Sequence, residues 1–464
     1  MGPARRKDAL LTDSSPTQSA RHFPRITAHS TTDAARSAID EGKVPKWLVE
    51  HTERNRHVLG PHRSVVEEWT RAGLKLPDLT AVRRYRIERV REQLRHHNID
   101  GVVLHDPLNV RYATDTTNMP VWTMHNAVRY AWVPADGDVV LFEFSHGEFL
   151  SAHSEVIDEI RPATSFVPFY SGSRSAEIAG RFADEIIELL RRDQRTGDMR
   201  LGIDNIGLEG LRALEARGAT VLSAHQLMEE ARLVKSGDEI DAMRCAIESC
   251  QRSISDMRSL FVPGVTELEL WAELQKANFL RHGEWVETRL LASGARTNPW
   301  YQEASIKEVE AGELMAFDTD MVGAFGMCVD MSRTWLCGDG RPSAAQTDLH
   351  SRARDMIESN RPLFVAGATY REITDRLSYP DVDEFNGYTV LAHGTGLCDE
   401  YPSLFTRELW DDRGFDGVVE VGNVFSIESF VGRRGSGEGV KLEDMIVVTE
   451  SGPELLTDYR LDLA

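Results

Sequence analysis

Apolar and polar residues follow two regular patterns through the first half of the chain. Segments 82–97 and 176–192 carry apolar side chains at helical spacing among charged residues. Short runs of β-branched and aromatic residues separate these segments and predict strands at 99–104, 127–134, 138–144 and 201–206. Strands that alternate with helices are typical of an α/β domain, which we place at residues 78–232.

The pattern changes after this region. Ser236 and Glu239 have the spacing of a capping box and predict the start of a long helix. From about residue 290 onward, glycine-containing turns separate short apolar strands. We therefore predict a second domain at residues 233–464. The polar residues 1–77 are predicted to form an N-terminal arm, which either wraps a second subunit or carries an organelle address.

Composition narrows the class of protein. The 464 residues are 41% hydrophobic and 27% charged, as in soluble globular proteins, and no apolar run is long enough to span a membrane. A net charge of −21 argues against nucleic acid as a partner, because phosphates require Lys and Arg. Five scattered cysteines without a CxxC pair, and a first 45 residues without the apolar core of a secretory signal, lead us to expect a cytoplasmic protein.

Carboxylates interrupt a predicted apolar hairpin at residues 316–336. Asp318 and Asp320 are two residues apart and share one face of a strand. A turn centred on residue 324 or 325 places Asp330 opposite one or the other of them. Cross-strand neighbours lie about 4.5–5.5 Å apart, so three ionised carboxylates would repel each other unless a cation neutralises them. A solvated hairpin with polar faces is the alternative.

A second predicted hairpin also places carboxylates in apolar strands. Glu428 and Glu443 lie in otherwise apolar segments, and a turn between Gly435 and Ser436 sets them opposite each other. Two facing buried glutamates are costly without a metal ion. His393 ends another apolar strand, where a histidine is more often a core residue than a ligand. Together these residues form an oxygen-rich set with one imidazole, which suits a pair of ions such as Mn, Fe, Co or Zn.

The order of these residues resembles a known group of enzymes. The strings SGARTN, HGTG, FSIES and LEDMIVVT look like those of the creatinase/prolidase/aminopeptidase P superfamily. The resemblance covers residues 78–464. It implies an α/β N-terminal domain, an α+β pita-bread catalytic domain with a curved antiparallel sheet, a homodimer and a dinuclear metal centre. The implied ligands are Asp318, Asp330, His393, Glu428 and Glu443.

Several positions depart from the peptidases of this superfamily. Trp300 stands where they place a histidine after the SGxN string, and Asp399 replaces their second histidine before Glu-x-Pro. Lys441 replaces the usual arginine two residues before the last ligand. The spacing of the first two ligand aspartates is 12 from Asp318 or 10 from Asp320, instead of 11. These differences argue against peptide hydrolysis.

The departures resemble one branch, the dimethylsulfoniopropionate (DMSP) lyases of the DddP type. FDTDMVG, DMSRTW and HGTGLCDEYP carry this resemblance. It implies β-elimination of DMSP to acrylate and dimethyl sulfide, with iron in the centre (manganese and zinc also accept this ligand set) and Asp320 as an added metal ligand. It also implies that Asp399 is the base and that Tyr388 faces the pocket.

Aromatic faces suit a sulfonium cation, which has no N–H donors. Trp300, Tyr388 and Tyr401 flank the motifs and are our candidates for substrate binding, with core packing as the alternative for each. We therefore expect a small-molecule sulfonium substrate. The competing functions are an Xaa-Pro metallopeptidase and a non-catalytic binding module. Cys398 beside Asp399 is a candidate nucleophile, but a buried thiol is the simpler interpretation.

Overall fold

The computed structural model describes residues 61–193, 197–435 and 437–463. Residues 1–60, most of the predicted N-terminal arm, lie outside the described residues. The described part of that segment includes helix α1 (Arg63–Arg71). Its Trp69 is fully buried, and the indole Nε1 donates to Ser249 Oγ at 3.0 Å, so this part of the arm packs against the second half of the chain.

A six-stranded mixed sheet forms the core of the first half. Its spatial order is β4-β3-β2-β1-β5-β6, in which β1 pairs antiparallel with β2 and parallel with β5. The predicted strands are confirmed as β1, β2, β3 and β5. The six strands are β1 (Gly101–Leu104), β2 (Tyr130–Pro134), β3 (Val140–Glu143), β4 (Glu159–Pro162), β5 (Arg200–Ile203) and β6 (Thr220–Ser223).

Helices cover both faces of this sheet. The two predicted helices are confirmed as α2 and α6, and Asp78 caps α2 by accepting from the amides of Thr80 and Ala81. The helices of this half are α2 (Leu79–His96), α3 (Pro107–Thr114), α4 (Pro120–His125), α5 (Pro168–Ser171), α6 (Ser175–Asp193), α7 (Leu208–Glu215) and α8 (His225–Arg232).

The long helix α9 (Gly237–Ser259) begins at the predicted capping box. Ser236 Oγ accepts from the Glu239 amide, and the Glu239 carboxylate accepts from the Ser236 amide. The boundary that we predicted between residues 232 and 233 falls between α8 and α9. Apolar side chains of α2, β1 and α9 share one core with strands of the second half, so the two halves meet through an apolar seam.

The second half is built from antiparallel sheets. Three-stranded sheets of order β11-β10-β7 and β12-β9-β8 lie beside a larger sheet of order β15-β14-β16-β17-β18, in which β13 pairs with β16. The strands are β7 (Trp285–Val286), β8 (Leu291–Ser293), β9 (Leu314–Asp318), β10 (Met321–Val322), β11 (Cys328–Val329), β12 (Ser332–Leu336), β13 (Phe385–Gly387), β14 (Val390–Thr395), β15 (Asp399–Phe405), β16 (Val424–Arg433), β17 (Gly439–Thr449) and β18 (Gly452–Leu455).

A threonine hydroxyl joins two of these sheets, because it bonds to the backbone of a strand in the neighbouring sheet. Thr334 Oγ1 on β12 accepts from the Lys441 amide at 3.0 Å and donates to the Lys441 carbonyl at 2.8 Å on β17. The outer helices are α10 (Glu267–Leu280), α11 (Ala344–Asn360), α12 (Tyr370–Thr374) and α13 (Trp410–Arg413). This arrangement sets β9, β12, β16 and β17 side by side around the predicted site.

Two further features concern membrane spans and the cysteines. Within residues 61–193, 197–435 and 437–463, no helix is long and apolar enough to cross a membrane. All five cysteines are buried and unpaired.

Candidate metal centre

The first hairpin brings three aspartates together. In the β9–β12 ladder Asp318 faces Ser332, which is the register of a turn centred on residue 325, one of the two registers that we considered. Asp318, Asp320 and Asp330 each offer a carboxylate oxygen, and these oxygens lie within 4.8 Å of one another. Asp320 has a φ of 31°, in the left-handed region, and Thr288 Oγ1 donates to its Oδ2 at 2.9 Å. A non-glycine residue held in this conformation stores strain of the kind found at functional sites.

The second hairpin supplies the two glutamates. Glu428 on β16 pairs directly with Glu443 on β17, as predicted. His393 on the neighbouring strand β14 directs Nε2 at these acids, 3.9 Å from Glu428 Oε1 and 3.7 Å from Glu443 Oε1. Its Nε2 also lies 3.1 Å from Asp330 Oδ2, so His393 links the two hairpins.

The other ring nitrogen of His393 is already engaged. Nδ1 lies 3.0 Å from the Gly394 carbonyl, to which it donates. Burial lowers the pKa of His393, but Asp330 and Glu443 outweigh burial and hold the pKa well above its usual value, so Nε2 carries a proton that a bound cation would displace. The bond from Nδ1 orients the ring so that Nε2 is directed into the site. The imidazole therefore has the arrangement that a metal ligand needs.

Unsatisfied oxygens show that the carboxylate cluster fits divalent cations. Asp318 Oδ1, Asp330 Oδ1 and Glu443 Oε1 are buried and accept no hydrogen bond from the described residues. Buried polar atoms are nearly always paired, so three such atoms in one cluster require a ligand or protons. Oxygen-rich sets with one imidazole are suitable for Mn, Fe or Zn ions.

The pKa values point to the same need for a cation. Burial and neighbouring carboxylates together raise the pKa of Asp318, Asp320 and Glu428 to about 7 each, with burial as the largest cause and Lys441 opposing it. Burial and the Glu443 carboxylate raise the pKa of Asp330 well above its usual value. Without a bound cation the cluster does not hold all its negative charges near neutral pH.

One buried lysine provides part of the neutralising charge. Lys441 Nζ, with 0% of its side chain exposed, lies 2.7 Å from Glu443 Oε2 and 3.0 Å from Glu428 Oε2. It also lies 3.2 Å from Asp318 Oδ2. Burial lowers the pKa of Lys441, but these carboxylates outweigh burial and hold the pKa well above its usual value. Lys441 thus binds one oxygen of each acid and leaves the others for metal.

We predict that Lys441→Met destabilises the metal-free protein more than the metal-loaded protein. Removing one partner of a buried ion pair costs about 3–5 kcal/mol, because it leaves buried charge uncompensated. Bound cations replace part of that compensation. Thermal unfolding with a chelator and with added Mn²⁺ measures the difference, and Lys276→Met, at an exposed lysine, is the control. Equal losses of Tm under both conditions would contradict this role.

Asp399 lies at the rim of the cluster. It faces Thr395 across the β14–β15 turn, and its Oδ1 lies 3.9 Å from His393 Nδ1. Its side chain is 57% exposed and therefore accessible to a substrate. Loss of bulk solvent raises the pKa of Asp399 to about 6; His393 opposes this shift, and the Asp320 carboxylate adds to it. A carboxylate with this pKa is ionised at pH 7 and can accept a proton.

Two of the three candidate aromatics lie together beside the cluster. The Tyr388 ring is half-buried, with Lys441 Nζ 4.9 Å from its centroid. Trp300 is buried, its ring centroid is 6.1 Å from that of Phe430, and Tyr388 packs against this pair. The indole Nε1 of Trp300 has no hydrogen-bond partner among the described residues.

The third aromatic lies elsewhere. The Tyr401 ring stacks on Phe415, with centroids 5.3 Å apart, and meets Tyr370 edge-on at 6.1 Å. These rings belong to the core beneath the large sheet, so the structure does not bring the Tyr401 ring to the carboxylate cluster. The register of β14 and β15 shifts between His393 and Gly394, and this irregularity upsets the simple alternation on which a sequence argument depends.

Sequence reasoning missed two hydroxyls that support the ligands. Thr288 holds Asp320, and Ser332 Oγ donates to Glu443 Oε2 at 2.8 Å. Ser332 lies two residues after Asp330 on the same hairpin, which is a signal in retrospect, whereas nothing in the local sequence marks Thr288. Cys398 is buried, and burial raises the pKa of its thiol, which is the opposite of what a nucleophile needs.

Comparison with known proteins identifies the fold and the family of each domain. Residues 86–244 match the creatinase/prolidase N-terminal domain, and residues 241–450 match metallopeptidase family M24. The fold is that of an Xaa-Pro dipeptidase from Bacillus anthracis (TM-score 0.64, 24% identity, 82% of this chain and 98% of that one). The prolidase from Pyrococcus horikoshii is equally similar in fold (TM-score 0.64, 20% identity, 82% and 99%). The protein therefore has a creatinase-type N-terminal domain and a pita-bread catalytic domain of a metal-dependent family.

Closer relatives define the family within this class. The chain is 39% identical over 419 residues to the dimethylsulfoniopropionate lyase DddP of Roseovarius nubinhibens, covering 89% of this chain and 94% of that protein. It is 38% identical over 416 residues to the DddP of Roseobacter denitrificans, covering 88% and 93%. The chain belongs to the DddP family of dimethylsulfoniopropionate lyases.

Proposed function

We propose that the protein is a metal-dependent lyase that cleaves DMSP to acrylate and dimethyl sulfide by base-assisted β-elimination. The observation that carries this proposal is the position of Asp399, an accessible carboxylate on the rim of a buried ligand cluster and 3.9 Å from His393. Family membership at 38–39% identity over nearly nine-tenths of the chain supports it.

Asp399 performs the proton transfer in this reaction. Its carboxylate takes a proton from the carbon next to the DMSP carboxylate, the C–H electrons form the C=C bond, and the C–S bond breaks to release dimethyl sulfide. The products are acrylate and protonated Asp399, which then loses its proton to solvent. A pair of divalent cations, when bound, would stabilise the negative charge that develops on the substrate carboxylate.

The ligands that we propose for these cations are the six residues of the cluster. Lys441 orients three of the carboxylates through the contacts described above. We propose iron as the metal, with manganese or zinc as alternatives that the same donors accept. Elemental analysis of protein purified without added metal, followed by reconstitution of the chelated protein with each ion, identifies the one that restores dimethyl sulfide release. The proposed ligands are Asp318, Asp320, Asp330, His393, Glu428 and Glu443.

We propose that aromatic side chains bind the sulfonium group. Tyr388 and Trp300 lie together beside the cluster, and a sulfonium cation is attracted to the face of such rings. Tyr401, whose ring packs on Phe415, is proposed to contribute by supporting this strand rather than by ring contact. Tyr388→Leu is expected to raise KM for DMSP more than it lowers kcat.

We further propose a cytoplasmic homodimer. An exposed apolar patch on the first half of the chain supports subunit association, and its members are 45–68% exposed. Five unpaired buried cysteines support a reducing compartment. Light scattering after size exclusion, with Phe169→Asp as the disrupting variant, tests the dimer. The patch comprises Met119, Val121, Met124, Phe169 and Tyr170.

The pH dependence of turnover follows from Asp399. The base must be ionised, so kcat is expected to fall as the pH drops through its pKa, which is about 6 without metal. Bound cations favour the ionised form and move this limb to lower pH. We therefore expect an acid limb at or below about pH 6 in a kcat profile measured from pH 4.5 to 8. A limb centred above pH 7 would contradict the assignment.

Headspace measurement of dimethyl sulfide tests the function itself. Purified metal-loaded protein is expected to release it from DMSP. The matched control is dimethylsulfonioacetate, which has the same charged groups but no β carbon and therefore cannot undergo this elimination. If the protein released no dimethyl sulfide from DMSP and cleaved Xaa-Pro dipeptides, the lyase assignment would be wrong and the protein would be a peptidase.

A further inference from the structure

We propose that Glu400 is a positioning residue for the base, and that Arg232 and Lys235 act through it. Glu400 directly follows Asp399, and its carboxylate enters the seam between the two halves of the molecule. This inference rests on the proposed role of Asp399. It gives a residue of the first half of the chain a role in the reaction carried out by the second half.

The anchor of Glu400 is a buried pair of cations. Glu400 Oε2 lies 2.9 Å from Lys235 Nζ, and Oε1 lies 3.1 Å from Arg232 Nε. The carboxylate is 1% exposed, and the two cationic side chains are 4–5% exposed. Burial raises the pKa of Glu400, but Lys235 and Arg232 outweigh burial and hold the pKa below its usual value. The carboxylate is therefore ionised and fixed from both sides.

Arg232 is itself fixed by residues of the first half. It ends helix α8, and its guanidinium donates to Asn109 Oδ1 on α3 and to Glu229 Oε1. Glu229 Oε2 in turn accepts from the Tyr401 amide at 2.9 Å. Helix α8 therefore holds the chain by the carboxylate of Glu400 and by the backbone of the next residue.

The turn before Asp399 closes around the same carboxylate. The Leu397 amide donates to Glu400 Oε1 at 3.0 Å. A Cβ atom at Gly396 would lie 2.3 Å from Glu400 Oε2, so the backbone passes as close to the carboxylate as glycine permits. The turn is therefore packed directly on the Glu400 carboxylate.

Strand geometry transfers this constraint to the base. Consecutive residues of a strand point to opposite faces, so Asp399 faces the rim of the site while Glu400 faces the seam. Beyond the register shift between His393 and Gly394, the β14–β15 ladder continues for only two pairs, Gly394 with Glu400 and Thr395 with Asp399, so the Glu400 side chain adds an anchor to a short stretch of backbone pairing. A displacement of about 1 Å in a reacting group can cost about 100-fold in rate.

A second buried ion pair provides a control that distinguishes a loss of positioning from a loss of stability. Glu143 Oε2 lies 2.7 Å from Arg129 Nε, with side chains 0% and 4% exposed, inside the first half of the chain. Glu143→Gln therefore removes a charge as deeply buried as that of Glu400. The hydrogen-bond partners of Glu143 among the described residues all lie in the first half of the chain, away from the Asp399 turn: Asn118, Arg129, Phe144 and Ser151.

The experiment compares Glu400→Gln with Glu143→Gln in the full-length, metal-loaded protein. For Glu400→Gln we expect kcat for dimethyl sulfide release to fall at least about tenfold with KM changed less than about twofold, because substrate binding is kept and the base is misplaced. Metal content is expected to stay at the wild-type level. Amide hydrogen exchange at residues 396–402 is expected to accelerate in Glu400→Gln and not in Glu143→Gln.

Lys235→Gln is the second variant, because it weakens the same anchor and keeps Arg232 paired. It is expected to lower kcat by less than Glu400→Gln does and to accelerate exchange in the same segment. A kcat within twofold of wild type in a folded Glu400→Gln protein, or equal kcat losses in Glu400→Gln and Glu143→Gln, would overturn the proposal. A wild-type protein that releases no dimethyl sulfide refutes the proposed function instead, and unchanged exchange at 396–402 refutes the anchor independently of activity.

Discussion

Asp399→Asn is expected to abolish dimethyl sulfide release while the protein keeps its metal. Asparagine has nearly the shape of aspartate but cannot take up the proton, and loss of a general base costs about 100- to 10,000-fold in rate. The side chain lies at the rim of the ligand cluster, 3.9 Å from His393, so its loss leaves the buried ligands in place. Headspace measurement and elemental analysis of the same preparation test both parts.

The control for this variant is Asp412→Asn, at an aspartate that is 77% exposed. It changes the net charge by the same amount and is expected to leave turnover and metal content unaltered. Retention of more than about a tenth of wild-type kcat in Asp399→Asn would exclude Asp399 as the base, since that loss falls short of general-base catalysis. Loss of metal with activity would make it a ligand instead.

Glu428→Gln is expected to lose metal and activity together. The carboxylate is buried, pairs with Glu443 across β16 and β17, and approaches Lys441 Nζ at 3.0 Å. Changes to residues that merely support metal ligands cost about 10- to 100-fold in metal affinity, and a direct ligand is expected to cost at least as much. Metal content after dialysis against a weak chelator, read beside dimethyl sulfide release, measures both effects.

The matched control is Glu420→Gln, at an exposed glutamate of the same half of the chain. It is expected to retain both metal and turnover. Excess metal is expected to restore part of the activity of Glu428→Gln, because the other donors remain. Full metal content in an inactive Glu428→Gln protein would contradict its assignment as a ligand and leave it a role in substrate binding.

Local sequence pattern predicted much of the fold and part of the site. Four strands and the two longest helices of the first half follow from hydrophobic periodicity, and the start of α9 follows from the capping box of Ser236 and Glu239. The pairing of Glu428 with Glu443 follows from the position of a glycine-rich turn, since a hairpin turn sets the register of its strands. These features depend on residues within about 20 positions of each other.

Other features escaped prediction because a local irregularity intervenes. Tyr401 follows the same motif as Asp399, but the register shift after His393 and the core under the sheet direct its ring to Phe415. The orientation of Trp300 against Phe430 likewise depends on two segments that are far apart in the chain. Side-chain direction after a bulge is a property of the assembled sheet, which pattern alone does not contain.

The sequence by itself determined which residues we propose for the chemistry: the acids of two hairpins, His393, and the aspartate that replaces a histidine. Only the tertiary structure decided how they are held. Lys441 neutralises acids from both hairpins, and Arg232 reaches Glu400 from another part of the chain. The physical reason is that a buried charge must find its partner in space, and packing of the two halves, rather than proximity in the chain, brings that partner within about 3 Å.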